Sequence, residues 1–355
     1  FNLQYSTNYI AVMPTNLYGP SRVEKPKQFV DALGIGKTFI QMTYERFARF
    51  IPEANFWVMT GEDYKELVLE QLPNLRPDQV LTEPCRRNTA PCIAYAMFKL
   101  KQRDPNAVAI VTPSDQYIGN ETAFERIMRE CLIYAGSHSC LLTVGISPTY
   151  PATGYGYIQT LPAPGETFAP VSRFKEKTDL VTATAYLSEG NYYWNSGMFI
   201  WSVEAITEAL RHYLPEVAGR FEALGEAYDT TREKEMARQA FWDCPSISID
   251  YGVMERSDRV YVRRANDLAW SDVGSWGALY GLLEKGGLEN SASGGDRVDL
   301  SVSRHNLIKV TNPNKRIVID GLSGYLVADT KDVLMICPLE DENRIKRVIE
   351  EASGK

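Results

Sequence analysis

The sequence predicts an α/β fold followed by a smaller all-β domain. Short apolar runs alternate with amphipathic segments over the first 145 residues. From about 154 to 201 the pattern turns strand-rich, and beyond a Gly/Ser cluster, "KGGLENSASGGD" at 285–296, short β-runs are broken by turns. Strands alternating with helices imply parallel pairing and a sheet covered on both faces. Ligands of such sheets sit past the carboxyl ends of the strands.

Each element has a local reason. "YIAVM" (9–13), "NFWVMT" (55–60), "AVAIVT" (107–112) and "CLLTVG" (140–145) are short apolar runs and read as buried strands. Between them, 37–50, 62–72, 89–103 and 121–136 read as helices. In "FERIMRECLIYA" the residues Phe124, Ile127, Met128, Cys131 and Leu132 recur at three- and four-residue steps. "GYGYIQT", "FAPVSRF" and "SGMFIW" are strands, roughly 203–256 is helical, "RVYVRR" (259–264) is a strand and "SWGALYGLLEK" a helix. The cluster at 285–296 reads as a linker. It divides a domain at 1–285 from one at 286–355, whose β-runs end in a helix, "DENRIKRVIEEA".

Composition narrows the function classes. The chain has 355 residues, 44% of them hydrophobic, enough for one large domain and a smaller one with proper cores. A net charge of −7 argues against a general nucleic-acid binder but leaves room for small anionic ligands. Six cysteines (Cys85, Cys92, Cys131, Cys140, Cys244, Cys337) form no CxxC pair, and only three histidines are present, so zinc spacings are missing. They read as reduced, mostly buried thiols of a cytoplasmic protein. No uncharged apolar window of about 18 residues exists, so no membrane span is expected. The opening "FNLQYSTNYIAVMP" lacks the basic start and long apolar stretch of a secretory signal.

The chemistry-bearing stretches are weak one at a time. "VMPTNLYGPSRVEKPKQF" (12–29) follows the first strand, where a phosphate loop is expected, yet holds a single glycine, Gly19, between two prolines. "EPCRRNTAPCIAYAMF" (83–98) opens a helix with Asn88 or Thr89 as cap and Pro91 in the first turn. Its free N–H groups, with Arg86 and Arg87, make a positive nest for a phosphate or a base carbonyl; the plainer reading is an ordinary capped helix. "VTPSDQYIG" sets Asp115 just beyond a buried strand, where an acid can hold Mg²⁺ on phosphate oxygens or merely cap a loop. The glycines of "GYGYI" (154–158) would let a ligand approach the backbone or mark a bend. They do not form a dinucleotide fingerprint, which weakens a nicotinamide dehydrogenase reading. "RFKEKTD" brings Glu176 and Lys177 to a strand end, a ligand contact or a solvated surface pair. "YYWNSGMFIW" puts Asn195 and Ser196 inside an aromatic run, as sugar sites do and as satisfied core amides do. "SIDYGVME" and "AWSDVGSW" add Asp250 and Asp272, the latter placed like a helix cap.

Their order is more telling. "EPCRRNTAP", "PSDQYI", "GYGYI", "FKEKTD", "WNSGMF", "SIDYGVME" and "WSDVGSW", in this sequence and spacing over about residues 9 to 340, resemble the mannose-1-phosphate guanylyltransferases. The resemblance implies a Rossmann-like nucleotidyltransferase domain with a mixed, mainly parallel sheet. "DGLSGYLVADTKDVLMICP" resembles the short left-handed β-helix that ends these enzymes, here without a following isomerase domain, as in the monofunctional form. The family moves GMP from GTP to mannose 1-phosphate with Mg²⁺, giving GDP-mannose and pyrophosphate. By resemblance, Lys27 and Arg22 meet the phosphates and Asp115 and Asp272 bind the metal, all four acting in catalysis. Glu83, Arg87, Asn88, Thr89, Ala90 and Ser114 hold the nucleotide. Gly154, Tyr155, Gly156, Glu176, Lys177, Asn195 and Gly197 hold the sugar phosphate. An exposed edge of the β-helix would allow a homodimer.

Three departures stand out. The family's first strand leads into a glycine-rich loop of the kind GGxGxRxWPxSR, whose N–H groups cradle the triphosphate. Here "PTNLYGPSR" is shorter and has lost nearly all those glycines, and Pro14 and Pro20 have no N–H to offer. Gln116 stands where the family usually has histidine, and Thr178 where proline commonly follows "EK". Three expectations follow: an active enzyme whose natural loop is the glycine-rich one, a working enzyme in which Arg22 and Lys27 carry the phosphates, or a catalytically silent sugar-nucleotide binder.

Overall fold

The computed structural model describes residues 9–15, 26–161, 166–175, 177–283, 285–293, 298–310, 312, 314–329 and 333–339. Arg22, Glu176, most of the loop after the first strand and the expected closing helix at 341–352 lie outside the described residues. In chain order the elements are β1 (Tyr9–Pro14), α1 (Phe39–Ala48), β2 (Phe56–Gly61), α2 (Lys65–Gln71), β3 (Val80–Glu83), α3 (Thr89–Arg103), β4 (Val108–Val111), β5 (Tyr117–Ile118), α4 (Glu121–Ser137), β6 (Leu141–Ile146), β7 (Tyr157–Thr160), β8 (Phe168–Lys175), α5 (Leu180–Glu189) and β9 (Tyr192–Ser202). There follow α6 (Val203–Tyr213), α7 (Pro215–Glu222), α8 (Glu233–Asp243), β10 (Val260–Ala265), β11 (Trp270–Ser271), α9 (Trp276–Leu282), β12 (Ser291–Ser293), β13 (Val298–Ser301), β14 (Leu307–Val310), β15 (Ile317–Asp320), β16 (Tyr325–Asp329) and β17 (Leu334–Pro338).

The chain divides into two compact units, one of residues 1–18, 40–114 and 118–270, the other of 19–39, 115–117 and 271–355. The first is built on a nine-stranded sheet in the order β3-β2-β1-β4-β9-β6-β10-β8-β7. β1 lies parallel to both β2 and β4, β2 to β3, and β6 to β10. β9 runs antiparallel to β4 and β6, and β8 to β10 and β7. Within this sheet only β9 and β8 therefore oppose the common direction, so the sheet is mixed and mainly of one sense.

The strands β1, β2 and β4 are apolar runs, buried almost throughout because both faces are covered. Alternate residues point to opposite sides: Ile10, Val12, Trp57, Met59, Ala109 and Val111 enter a core shared with α3, α6, α7 and α8. Their neighbours Ala11, Met13, Phe56 and Val58 are equally buried. α4 packs on β4, β6, β9 and β10, and its Phe124 meets Phe47 of α1 edge-on at 5.1 Å. α3 is buried from Ala90 to Leu100, which explains its weak amphipathic pattern.

Three sequence expectations are corrected. β3 is an additional strand, hidden because four residues, "VLTE", carry no readable period. The helical stretch 203–256 is broken into α6, α7, α8 and a single π-helical turn at Asp250–Met254; Pro215 starts a new helix where it cannot continue the old one. The linker at 285–296 is in part β12, whose ladder partner begins at Leu307. Such non-local pairing leaves no trace in local composition.

The second unit contains the parallel ladder β12–β14–β16, closed by antiparallel β17, and the parallel pair β13–β15. Ile308, Val310 and Val327 form its core, with Leu300, Ile317 and Ile319 packed against them. Among the described residues no helix is long and apolar enough to cross a membrane, and the six cysteines are free thiols.

Candidate active site

Within the second unit, three segments far apart in sequence meet at one ammonium. Pro26 leads into a short 3₁₀ turn that begins at Lys27. The Lys27 Nζ donates to Asp115 Oδ2 at 3.2 Å and to the backbone oxygen of Asp272 at 2.5 Å. It also lies 5.3 Å from the centre of the Phe39 ring. Burial pushes the Asp115 carboxyl above the usual range, the Lys27 charge and hydrogen bond oppose this, and the like charge of Asp272 adds to the rise.

Asp272 sits in a tight turn. Its Oδ1 accepts from Gly274 N at 3.0 Å, and a Cβ on Gly274 would come within 2.5 Å of Asp272 Oδ2, so a side chain there would displace the carboxylate. The intervening Val273 has φ of 48°, costly for a β-branched residue. The expected capping role is corrected: Ser275, not Asp272, caps α9, accepting from Ala278 N at 2.8 Å. The Asp272 carboxylate serves its own turn, and its charge is felt at Asp115. Two carboxylates with oxygen donors only suit a hard divalent cation. No group of three or more His, Cys, Asp or Glu gathers among the described residues.

In the first unit, Glu83 ends β3 and is buried, and burial pushes its carboxyl up to about 7 against the opposing charge of Arg86. Asn88 caps α3 by accepting from Thr89 N at 2.8 Å, at φ of 65°. The expected nest of free donors is corrected here. Besides the capped Thr89 N, Ala90 N donates to Ile247 O at 3.0 Å. The Arg87 guanidinium donates to Phe241 O at 3.2 Å and Trp242 O at 2.7 Å, at the end of α8. Arg87 thus ties α3 to α8, and Thr89 Oγ1 accepts from Ile249 N at 2.8 Å. Ser114 is buried, with its Oγ donating to Pro14 O at 3.2 Å, so it joins the ends of β4 and β1.

Also in the first unit, Asn195 lies on β9 where the register slips against β6 between Thr143 and Gly145. Its N–H donates to Gly156 O at 2.8 Å. Its Oδ1 accepts from Gly197 N at 3.1 Å and Thr143 Oγ1 at 3.4 Å, and its Nδ2 donates to Asp250 Oδ1 at 2.9 Å. Gly197 has φ of 71°, which a side chain would strain. A Cβ on Gly154 would meet nothing within 4 Å, so there is open space at that backbone. Tyr155 stands 5.1 Å from Trp194 and 5.2 Å from Trp270, and Tyr150 lies 4.9 Å from Trp194. Lys177 is exposed before α5, which Asp179 caps. Of this group sequence reasoning singles out Tyr155 and the aromatic run around Asn195, but not Tyr150, Trp270 or Thr143, and it gives Asp250 no role. Their partners are distant in the chain, and only the run "YYWN" hints at them.

Comparison with known proteins places this geometry. Residues 15–285 match the nucleotidyl transferase family. The chain is 35% identical over 342 residues to the xanthan biosynthesis protein XanB of Xanthomonas campestris pv. campestris, covering 94% of this chain and 70% of that protein. It is 33% identical over 343 residues to a mannose-1-phosphate guanylyltransferase of Escherichia coli, covering 95% and 71%. Its fold is similar to a crystal structure from Thermus thermophilus described as a mannose-1-phosphate geranyltransferase, with a TM-score of 0.85, 26% identity and coverage of 98% and 99%. An enzyme fold, its motifs in order and these relatives lead to one conclusion: the chain belongs to the nucleotidyl transferase family, among the mannose-1-phosphate guanylyltransferases.

Proposed function

We propose that the chain transfers GMP from GTP to mannose 1-phosphate, yielding GDP-mannose and pyrophosphate in the presence of Mg²⁺. The observation that carries this is the meeting of Lys27, Asp115 and Asp272 at 3.2 and 2.5 Å. A phosphate oxygen of the sugar phosphate forms a bond to the α-phosphorus of GTP. The bond from that phosphorus to the bridging oxygen breaks, and pyrophosphate leaves with the electron pair. Catalysis is then positioning and charge stabilisation. The Lys27 ammonium, with Arg22, offsets phosphate charge. Asp115 and Asp272 would hold Mg²⁺, which when bound neutralises and orients phosphate oxygens. Glu83 and the stretch Arg87–Ala90, with Ser114, form the guanosine side. Gly154, Tyr155, Gly156, Glu176, Lys177, Asn195 and Gly197 form the sugar-phosphate side.

The intact set of lysine and two acids favours a working enzyme over a silent binder. The nucleotidyl transferase match ends at 285, which supports a catalytic domain at 1–285. The stacked parallel pairs β12–β14–β16 and β13–β15 support reading 286–355 as the short left-handed β-helix. The test is pyrophosphate release from GTP plus mannose 1-phosphate with Mg²⁺. Turnover that stops with chelator and returns with Mg²⁺ is expected. Silence with this pair, but release with another nucleoside triphosphate or sugar phosphate, would overturn the substrate assignment.

A further inference from the structure

We propose that Asp250 is a positioning residue for Asn195, fixing the orientation of its amide so that one Nδ2 hydrogen remains as a donor to the sugar phosphate. This rests on the reading of β9 as part of the sugar-phosphate side. An amide can usually be turned over without obvious cost, because its oxygen and nitrogen differ little in shape. Here it cannot. The Oδ1 faces Gly197 N–H at 3.1 Å, a group that only donates, and the Thr143 hydroxyl at 3.4 Å. The Nδ2 faces a carboxylate oxygen of Asp250 at 2.9 Å. Turning the amide would set N–H against N–H and oxygen against carboxylate. Both ends therefore specify the same orientation, and Asp250 supplies the nitrogen end. An Nδ2 carries two hydrogens; Asp250 takes one, and the other has no protein partner among the described residues.

Asp250 is itself held on a rigid element. It opens the π-helical turn Asp250–Met254, a rare irregularity that tends to mark functional positions. Its carbonyl accepts from Glu255 N at 2.9 Å. The residue before it, Ile249, donates its N–H to Thr89 Oγ1 at 2.8 Å, in the capped first turn of α3. Adjacent residues thus grip one group assigned to the nucleotide side and one assigned to the sugar side. The backbone at Asp250 is thereby tied to the start of α3. A site residue held this way has its donor direction set before substrate arrives, which is the purpose of a supporting shell.

The experiment is steady-state kinetics of the full chain carrying Asp250→Ala or Asp250→Asn, with each substrate varied in turn. Loss of one fixed hydrogen bond predicts a KM for mannose 1-phosphate about ten-fold higher in Asp250→Ala, with KM for GTP changed by no more than about two-fold. Asp250→Asn keeps an oxygen that accepts from Asn195 and recovers most of the loss. Equal rises for both substrates, or no rise, would overturn the proposal. A second readout does not need turnover. In protein labelled with ¹⁵N-asparagine, and assigned by the signal lost in Asn195→Gln, the Nδ2 hydrogen of Asn195 held by Asp250 is expected to be shifted well away from the other in the wild type. That signature is expected to collapse in Asp250→Ala and persist in Asp250→Asn. A wild type lacking it sinks the positioning role. A wild type that shows it but fails to turn over mannose 1-phosphate sinks only the substrate assignment.

Discussion

Lys27 is the residue on which the second unit's polar centre depends. It pairs at 3.2 Å with Asp115, whose carboxyl is held above its usual range by burial. Lys27→Ala is expected to lower the rate of pyrophosphate release by about 10²–10³, the worth of one preorganised donor. Lys27→Arg is not expected to rescue it, because a planar fork does not replace a point charge held between a carboxylate and a carbonyl. A change of less than about ten-fold would remove Lys27 from the phosphate site. Glu83 yields a pH prediction. Its carboxyl rises from an ordinary 4.5 to about 7 on folding, so the folded chain holds that proton more tightly than the unfolded one. Stability is then lost as pH rises from about 4.5 to about 7. Glu83→Gln should melt above wild type at pH near 8 and level with it at pH near 4.5, as read by thermal denaturation. A gap independent of pH would show that Glu83 titrates normally.

At the scale of elements, α3 matters most. Both its ends are tied down: Asn88, Arg87 and Ala90 at the start, and Lys99 at the far end, whose Nζ lies 2.6 Å from both Glu233 carboxylate oxygens. A buried pair of this kind is weak evidence of stability, but it ties α3 to the start of α8. The start of the helix gives a test, because Asn88 holds φ of 65°. Asn88→Ala loses the cap and keeps a positive φ, a combined cost of about 2 kcal/mol. Asn88→Gly loses the cap but relieves the backbone, and is expected to cost well under half as much. Urea denaturation measures both, and equal losses would show that the backbone carries no strain at this position. The cap of α3 is legible to within one residue, because Asn88 and Thr89 precede the helical run; that of α4, Asn120, comes only from the structure. β3 and β12 are not, since each is a short strand defined by its partners.

For the whole molecule, each of the two units has an apolar cluster of its own among the described residues. In the second unit, Asn290 and Asn306 form a buried amide ladder. The Asn306 N and Nδ2 donate to Asn290 Oδ1 at 3.1 and 3.0 Å, and Nδ2 also donates to Leu322 O at 2.8 Å. The Asn306 Oδ1 accepts from Tyr325 N at 2.9 Å. Asn306→Ala leaves several buried groups unsatisfied and should destabilise this unit by about 2–4 kcal/mol. Calorimetry is expected to show an earlier second-unit transition with the nine-stranded sheet melting as before. A single transition that shifts as one would contradict independent cores.

The sequence by itself determined the alternation of strands and helices, the capped helix at 89–103, the order of motifs and hence the family. The first two depend on local periodicity and on residues close together in the chain; the family rests on the resemblance carried by the order of motifs along it. Only the tertiary structure decided that Arg87 serves α8, that Ser275 and not Asp272 caps α9, and that Asp250 grips Asn195. It likewise brought Lys27, Asp115 and Asp272 to one point. The physical reason is that a hydrogen bond's partner is chosen by proximity in space. Chain separation hides that choice, and a polar residue's type shows only that it must find some partner, not which one.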